Sequence, residues 1–144
     1  MNIKKVFVDA NVIIDMFDKN RENCIVANMI MNYCVDKDLE LYTSCDLVTT
    51  VYYILSKKGK KKALEDIKAA SDIFELIPFA NEDLNKAIYL MEKDQRFKDL
   101  EDTLQYVLAK KEGCDLILTN DKEFYSPDIK VVSISQLAKE LNIK

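Results

Sequence analysis

The chain contains no histidine among its 144 residues. This absence excludes every mechanism that needs an imidazole base or ligand, which covers Ser-His-Asp and Cys-His nucleophiles, His-ligated zinc and ribonuclease chemistry built on a histidine pair. In an enzyme of this composition, carboxylates are therefore expected to carry out proton transfer and metal binding.

Glycine and proline are also scarce, with two of each. The sequence therefore has no glycine-rich loop that could surround a phosphate, which excludes nucleotide binding of the P-loop or GxGxxG kind. It also shows no repeats, flexible linkers or low-complexity segments.

The four cysteines lie ten or more residues apart, so no CxxC pair or metal-binding cluster is present; they are Cys24, Cys34, Cys45 and Cys114. A chain of this size, 49% hydrophobic, can bury a continuous core without disulfides. We therefore expect reduced cysteines that fill the core, and one domain that spans residues 1–144.

Positive charge is not in excess, because 21 Lys and Arg stand against 25 Asp and Glu, for a net charge of −4. No global cationic field draws in nucleic acid, so any such contact must be local. The apolar N-terminal stretch is interrupted by Asp9, Asn11 and Asp15. This interruption excludes a signal peptide or a membrane helix there, and it predicts a cytoplasmic protein without membrane contact.

Short apolar runs alternate with helical patterns along the chain. The predicted strands are 5–8, which a turn follows, 39–42, 74–77, 116–118 and 130–132. The predicted helices are 21–35, 44–55, 57–70, 82–93, 99–112 and a last helix from Ser133 or Ser135 to Leu141. Ser44 and Asn81 are the expected N-caps of the second and fourth helices. The fourth helix has one apolar stripe, Leu84, Ala87, Ile88 and Met91, and the fifth is expected to bury Leu100, Leu104, Val107 and Leu108. Such alternation implies right-handed crossovers, and hence an α/β fold with a parallel five-stranded sheet between two layers of helices.

Two aspartates follow predicted strands directly, Asp9 after the first and Asp121 after the fourth. Ligands of open α/β sheets bind beyond the carboxyl ends of the strands. A single aspartate at such a place is commonly an Asx-turn or a helix cap, but two on one sheet weaken that interpretation.

Asp99 and Asp102 begin the predicted helix 99–112 and lie off its apolar stripe. Acidic residues are also favoured there by the helix dipole alone. Together with Asp9 and Asp121 they would form a cluster of carboxylates that repel one another. Either raised pKa values or a bound cation must relieve this repulsion. Mg²⁺ and Mn²⁺ take oxygen ligands of this kind.

The segments VFVDANVIIDMF, TSCDLVTTVYYIL and KDLEDTLQYVLAKKEGCDLILTNDKEF resemble the PIN-domain family, most closely the VapC-type toxin ribonucleases and related small bacterial PIN proteins. The resemblance covers about residues 6 to 125 with all segments in order. It implies a PIN-like three-layer sandwich and cleavage of RNA by an endonuclease that depends on Mg²⁺ or Mn²⁺.

The resemblance also implies roles for individual residues. Asp9, Asp102 and Asp121 match the catalytic, metal-binding acids, and Asp99 matches a further metal-binding acid present in part of the family. Asn11 and Thr119 match the polar positions that support the site.

The sequence departs from the family at Thr50, where a Glu or Asp usually precedes a YYIL-like run. The loss of this carboxylate weakens the expected metal site and the expected activity. Asp46 lies one helical turn earlier on the same face and is the residue that could substitute for it.

The basic run from Lys57 to Lys62 has two interpretations. It is either a solvated helix end or, through Lys60, Lys61 and Lys62, a surface that follows RNA phosphates. The neighbouring Tyr52 and Tyr53 fit a core position better than a platform for stacked bases.

These features favour a divalent-metal-dependent endoribonuclease, the toxin of a toxin-antitoxin pair. A PIN-fold binding or scaffold protein with weakened catalysis is the alternative that Thr50 favours. A phosphoacceptor receiver domain would also use strand-end aspartates, but its acidic pair and late lysine are not evident. The expected partners are RNA and a cognate antitoxin, and exposed apolar residues of the early helices could form the antitoxin groove or a homodimer face.

Overall fold

The computed structural model describes residues 2–143, and its centre is a five-stranded sheet in which every strand pair is parallel. The strands are β1 (Lys5–Val8), β2 (Glu40–Ser44), β3 (Glu75–Ile77), β4 (Leu116–Leu118) and β5 (Lys130–Val132). The helices are α1 (Ala10–Phe17), α2 (Cys24–Asp36), α3 (Cys45–Leu55), α4 (Lys60–Ile73), α5 (Asn81–Lys93), α6 (Leu100–Lys111) and α7 (Ile134–Glu140), with one 3₁₀ turn at Ser56–Lys58. The predicted α/β class and its parallel five-stranded sheet are confirmed.

The strand order across the sheet is β3-β2-β1-β4-β5. The chain builds one half of the sheet outward from β1, then returns to add β4 on the other side. This order places the topological switch point between β1 and β4, where ligands bind in open α/β sheets.

The central strands are covered on both faces, because all three residues of β4 and Val6, Phe7 and Val8 of β1 are buried. Strands buried on both faces need helices above and below them. Within residues 2–143, no helix has both the length and the apolar character needed to cross a bilayer.

Helix α1 is missing from the sequence prediction, which placed only a turn after Asp9. Its eight residues include four buried aliphatic side chains on several sides, Val12, Ile13, Ile14 and Met16. Its two polar residues, Asn11 and Asp15, lie four apart on one face, but the helix is shorter than the window of about 11–18 residues in which a helical period can be recognised, so the sequence pattern does not distinguish it from the end of a strand.

Several predicted helix ends differ from the observed ones. Helix α2 begins at Cys24 rather than at Arg21. Ala80, not Asn81, occupies the cap position of α5, where the Asp83 carboxylate accepts a hydrogen bond from its backbone N–H (3.0 Å). Ser133 caps α7 as expected, and its hydroxyl accepts from Gln136 N (3.2 Å).

Four side chains that were expected in the core are exposed. Leu100, the first residue of α6, is 44% exposed, and Ile88, at one edge of its helix stripe, is 42% exposed. Tyr53 is also exposed, and so is Cys45, whereas Cys34 and Cys114 are buried and Cys24 is half-buried. All four cysteines are free thiols, which confirms the expected reduced state.

Candidate active site

Asp9 is held at the end of β1 by three neighbours. Its Oδ1 accepts a hydrogen bond from Ala10 N (2.7 Å) and so caps α1, and its Oδ2 accepts from Thr119 Oγ1 (2.7 Å) and Asn11 Nδ2 (3.2 Å). The side chain is buried, and burial raises its pKa; the nearby charge of Asp121 adds to this, while the hydrogen bonds oppose it. The carboxylate is thus oriented by short contacts while its charge is poorly solvated.

Asn11 and Thr119 connect the ends of β1 and β4, as their predicted supporting role requires. Asn11 Nδ2 donates to Thr119 Oγ1 (3.3 Å), and Thr119 Oγ1 accepts from Asp121 N (3.1 Å). Asn11 Oδ1 accepts from Asn120 N (3.1 Å). These bonds fix the loop that presents Asp121 relative to Asp9.

A second connection, which the sequence prediction missed, passes through Asp15 and Asn120. Asp15 is buried, and its two oxygens accept from Asn120 Nδ2 (2.8 Å) and Arg21 Nη1 (3.3 Å). Asn120 Oδ1 in turn accepts from Ile134 N (3.3 Å), at the start of α7. The only signal in the sequence was the position of Asn120 between Thr119 and Asp121, which does not indicate its partners.

Asp99 and Asp102 lie at the start of α6, as predicted. Asp99 Oδ1 caps the helix by accepting from Asp102 N (2.9 Å), while Asp102 lies within hydrogen-bonding reach of Asp121. The pKa of Asp102 is raised to about 7, chiefly by burial and then by the charges of Asp99, Asp121 and Asp9. The structure therefore brings the four predicted acids into one electrostatically coupled group.

Glu101 and Gln105, also on α6, are site residues that the sequence prediction missed. Burial raises the pKa of Glu101, with further contributions from the charges of Asp9, Asp46 and Asp99. Gln105 is 1% exposed and close enough to lower the pKa of Asp9, yet neither atom of its amide has a well-formed hydrogen bond in the described chain. The periodicity that predicts α6 could have placed Gln105 one turn after Glu101, on the same face.

Thr50 and Asp46 lie on α3, which starts at the same edge of the sheet. Thr50 is exposed, whereas Asp46 is partly buried and its Oδ1 is enclosed without a hydrogen-bond partner within residues 2–143. The effect of Asp46 on the pKa of Glu101 places it near the acidic group. The structure therefore places the charge of Asp46 near the predicted acids.

The acidic group lacks internal neutralisation. No Lys or Arg of residues 2–143 forms an ion pair with any of its members, which are Asp9, Asp46, Asp99, Glu101, Asp102 and Asp121. Carboxylate oxygens close together in a partly buried site are the donor set that Mg²⁺ and Mn²⁺ prefer.

The observed side-chain positions do not yet form a closed ligand set. Across the described residues, no three Asp, Glu or Cys side chains have the arrangement of a metal site. The donors nevertheless fit a hard divalent cation by their chemistry, by their missing counter-charge and by the partnerless Oδ1 of Asp46. Small side-chain rotations would have to complete the coordination.

The basic run lies at the far end of α1 and α3 from these acids. Lys58 pairs with Asp18 (2.9 Å), which follows α1, and the eight residues of α1 separate Asp18 from Asp9 by about 12 Å. Lys62 pairs with the buried Asp66, while Lys60 and Lys61 have no ionic partner in the described chain. Lys57 also forms no ion pair with the described residues and lies over the Tyr53 ring (5.0 Å to its centroid), so three lysines of the run are available to a phosphate.

Cavity size alone does not identify this site. A cavity of about 800 Å³ between α5 and α6 has Tyr89, Leu90, Tyr106 and Val107 in its lining but none of the clustered acids. A much smaller cavity of about 200 Å³ contains Asp99, Asp102 and Asp121 together with Arg96 and Lys98. The coupled carboxylates, rather than the volume, indicate where chemistry can occur.

Comparison with known proteins gives matches at the level of family and sequence. Residues 6–130 match the PIN domain. The chain is 56% identical over 142 residues to Ribonuclease VapC1 of Aquifex aeolicus (strain VF5), and the alignment covers 99% of both proteins.

Solved structures share the fold at low sequence identity. The VapBC2 structure from Rickettsia felis, bound to a promoter DNA fragment, is 17% identical with a TM-score of 0.70, and the match covers 90% of this chain and 98% of the other. Mycobacterium tuberculosis VapC20, a toxin that cleaves the sarcin-ricin loop, is 16% identical with a TM-score of 0.67, and the match covers 83% and 92% of the two chains.

Proposed function

The chain belongs to the PIN domain family, and from this membership we propose that it is a divalent-metal-dependent endoribonuclease, the toxin of a toxin-antitoxin pair. Its extensive identity with Ribonuclease VapC1 supports the ribonuclease activity. The observation that carries the proposal is the un-neutralised acidic group at the switch point between β1 and β4. We further propose that residues 1–144 act as one PIN-like domain.

Asp9, Asp102 and Asp121 would hold the cation, with Asp99 as a further acidic ligand. A divalent cation bound there supplies positive charge that stabilises the phosphate during in-line attack and makes water a stronger nucleophile. The cation also offsets the negative charge that would otherwise repel the RNA backbone.

The remaining residues of the site orient these ligands. Thr119 and Asn11 hold the Asp9 carboxylate in one rotamer, and the Asp99 cap fixes the first turn of α6, which presents Asp102. Such preorganisation reduces the rearrangement needed when the substrate arrives. No step requires a histidine.

Asp46 and Glu101 are proposed to compensate for Thr50. The charges of Asp9 and Asp46 both raise the pKa of Glu101, so these carboxylates lie near one another, and the enclosed Oδ1 of Asp46 has no hydrogen-bond partner within residues 2–143. Thr50, being neutral and exposed, is the feature that favours the alternative of a scaffold protein without catalysis.

The decisive experiment measures cleavage of structured and unstructured RNA with Mg²⁺, Mn²⁺ or a chelator. We expect slow metal-dependent cleavage by the wild type and faster cleavage by Thr50→Glu, by about tenfold, because an added anionic ligand holds the cation more firmly. Asp102→Asn should abolish cleavage in both backgrounds, which separates true activity from a contaminating nuclease. If wild type and Thr50→Glu are both folded yet inert with either metal, the scaffold alternative replaces the nuclease.

An antitoxin is the proposed protein partner, because structures that share this fold include toxin-antitoxin complexes. Large apolar side chains of the early helices are exposed and offer a contact surface; they are Ile25 and Val35 on α2, Tyr53 on α3 and Leu64 on α4. An amphipathic segment could bury them, and a homodimer is the alternative occupant of the same surface.

The basic run gives a separate prediction about RNA binding. Replacing Lys60, Lys61 and Lys62 with Gln should weaken RNA binding and reduce the slope of log K against log salt by about 1 to 2. Each lysine that neutralises a phosphate of single-stranded RNA contributes about 0.7 to that slope. Lys62 is expected to contribute least, because Asp66 already pairs with it.

Salt-dependent binding titrations can measure this effect. A matched control replaces Lys4, Lys37 and Lys139 with Gln, which removes the same charge from exposed positions outside the run. If both triple variants lower the slope equally, or neither does, the run is a solvated helix end.

A further inference from the structure

A second cavity opens on the other side of Asp121 from Asp102. Its volume is about 530 Å³, and Thr119 and Asp121 belong both to its lining and to the acidic site. A phosphate bound at the acids would therefore place the adjoining nucleotide at the mouth of this cavity. The volume falls within the range of about 300–1,000 Å³ that small-molecule sites occupy.

The cavity has an apolar inner surface and a polar rim. Phe124 and Val132 are buried and provide the apolar part, while Asn23, Ser135 and Gln136 provide amides and a hydroxyl. An aromatic base has flat apolar faces and polar edges, so this distribution suits it.

Two side-chain amides at the rim retain hydrogen-bonding capacity. Gln136 Oε1 accepts from Ser133 N (2.9 Å), but within residues 2–143 its Nε2 has no partner. Asn23 occupies the cap position of α2, yet its side chain makes no capping bond and has no other hydrogen bond in the described chain. Amides that combine a donor and an acceptor can read the edge of an unstacked base.

The rest of the cavity is rigid and carries a cation at its edge. Asn120, which also lines it, is fixed by its bonds to Asp15 and to Ile134 N. Lys122 is exposed and forms no ion pair with the described residues, so it is free to meet a phosphate. Neutral amides and a hydroxyl beside one lysine, next to the Asp121 carboxylate of the acidic site, fit a nucleotide better than they fit an acidic or a purely apolar peptide.

We propose that this cavity, which we call the base cavity, binds the nucleotide next to the scissile phosphate of RNA, and that Asn23 and Gln136 select its base. The inference rests on the proposed ribonuclease function and extends it to substrate selection. Its geometry is independent of how many cations bind.

The variant Gln136→Glu provides the sharpest test. Glutamate keeps the oxygen that accepts from Ser133 N, so the start of α7 stays capped, but it replaces the free Nε2 donor with an acceptor. In mapped cleavage of a randomised RNA, we expect the base preference at the nucleotide next to the cut to change by about tenfold. Asn32→Ala, which removes an exposed amide on α2, should leave the preference unchanged.

A binding measurement decides the inference without catalysis. Ribonucleoside 5′-monophosphates are titrated into the Asp102→Asn protein, and binding is observed through changes in amide chemical shifts. We expect shifts around residues 119–124 and 133–136, and about tenfold weaker binding when Asn23→Ala or Gln136→Ala is added.

The outcomes of the two measurements are distinguishable. If Gln136→Glu cleaves RNA with an unchanged base preference and mononucleotides cause no amide shifts in this region, the proposed role of the base cavity is overturned but the nuclease function is not. If the wild type does not cleave RNA but binds mononucleotides in a way that depends on Asn23 and Gln136, the proposed nuclease function is overturned and a nucleotide site remains.

Discussion

Asp9→Asn is expected to abolish RNA cleavage, lowering the rate by at least about 1,000-fold. The amide keeps the shape of the side chain but removes the negative charge at the end of β1. It also cannot accept from Thr119, Asn11 and Ala10 as both carboxylate oxygens do. The variant therefore loses a cation ligand and the orientation of that ligand together.

Calorimetric titration of Mn²⁺ measures the same loss without RNA. The wild type should release or absorb binding heat that Asp9→Asn lacks, whereas Asp36→Asn, an exposed acid at the end of α2, should behave as the wild type. Equal heats in wild type and Asp9→Asn would place the metal elsewhere.

The positions of Asp9 and Asp121 followed from strand ends, whereas Asp99 and Asp102 were predicted from the start of a helix. Asp9 and Asp121 come directly after β1 and β4, and parallel strands bring their carboxyl ends to one edge of the sheet. The sequence could not reveal that β1 and β4 are neighbours. That adjacency depends on the strand order, which makes these two ends meet at the switch point.

Residues that act through tertiary contacts were missed. Asp15 belongs to a helix of only eight residues, too short for its period to be recognised in the sequence, and its partner Asn120 is 105 positions away. Gln105 was hidden for a different reason, since a glutamine on a helix is most often exposed, whereas this one is 1% exposed beside Asp9. Local patterns do not encode such pairs, because each depends on how β4 and α6 pack around β1.

The error at Leu100 has a related cause. The sequence favoured a buried Leu100 from its spacing to Leu104, but Leu100 is the first residue of α6 and is 44% exposed. The same first turn carries Asp102, whose pKa is raised by the charge of Asp121. An exposed apolar residue here therefore accompanies the formation of the acidic site.

Phe7→Ala is expected to cost about 3–5 kcal/mol of the free energy of unfolding. Phe7 is fully buried in β1, the central strand, where it is in register with Tyr42 of β2 and Ile117 of β4. Its removal leaves a cavity that strands held on both sides cannot collapse to fill. Since domains of this kind are stable by only about 5–15 kcal/mol, the loss is a large fraction of the total.

Urea unfolding of metal-free protein can measure this cost, and added Mn²⁺ tests how the core supports the site. Because the cation binds only the folded protein, a concentration 100-fold above its dissociation constant should restore about 2.7 kcal/mol to Phe7→Ala. The double variant Phe7→Ala with Asp9→Asn should regain almost nothing, because the ligand at the end of the same strand is gone. A cost below about 1 kcal/mol would contradict the central position of Phe7, and equal recovery in the single and double variants would contradict cation binding by Asp9.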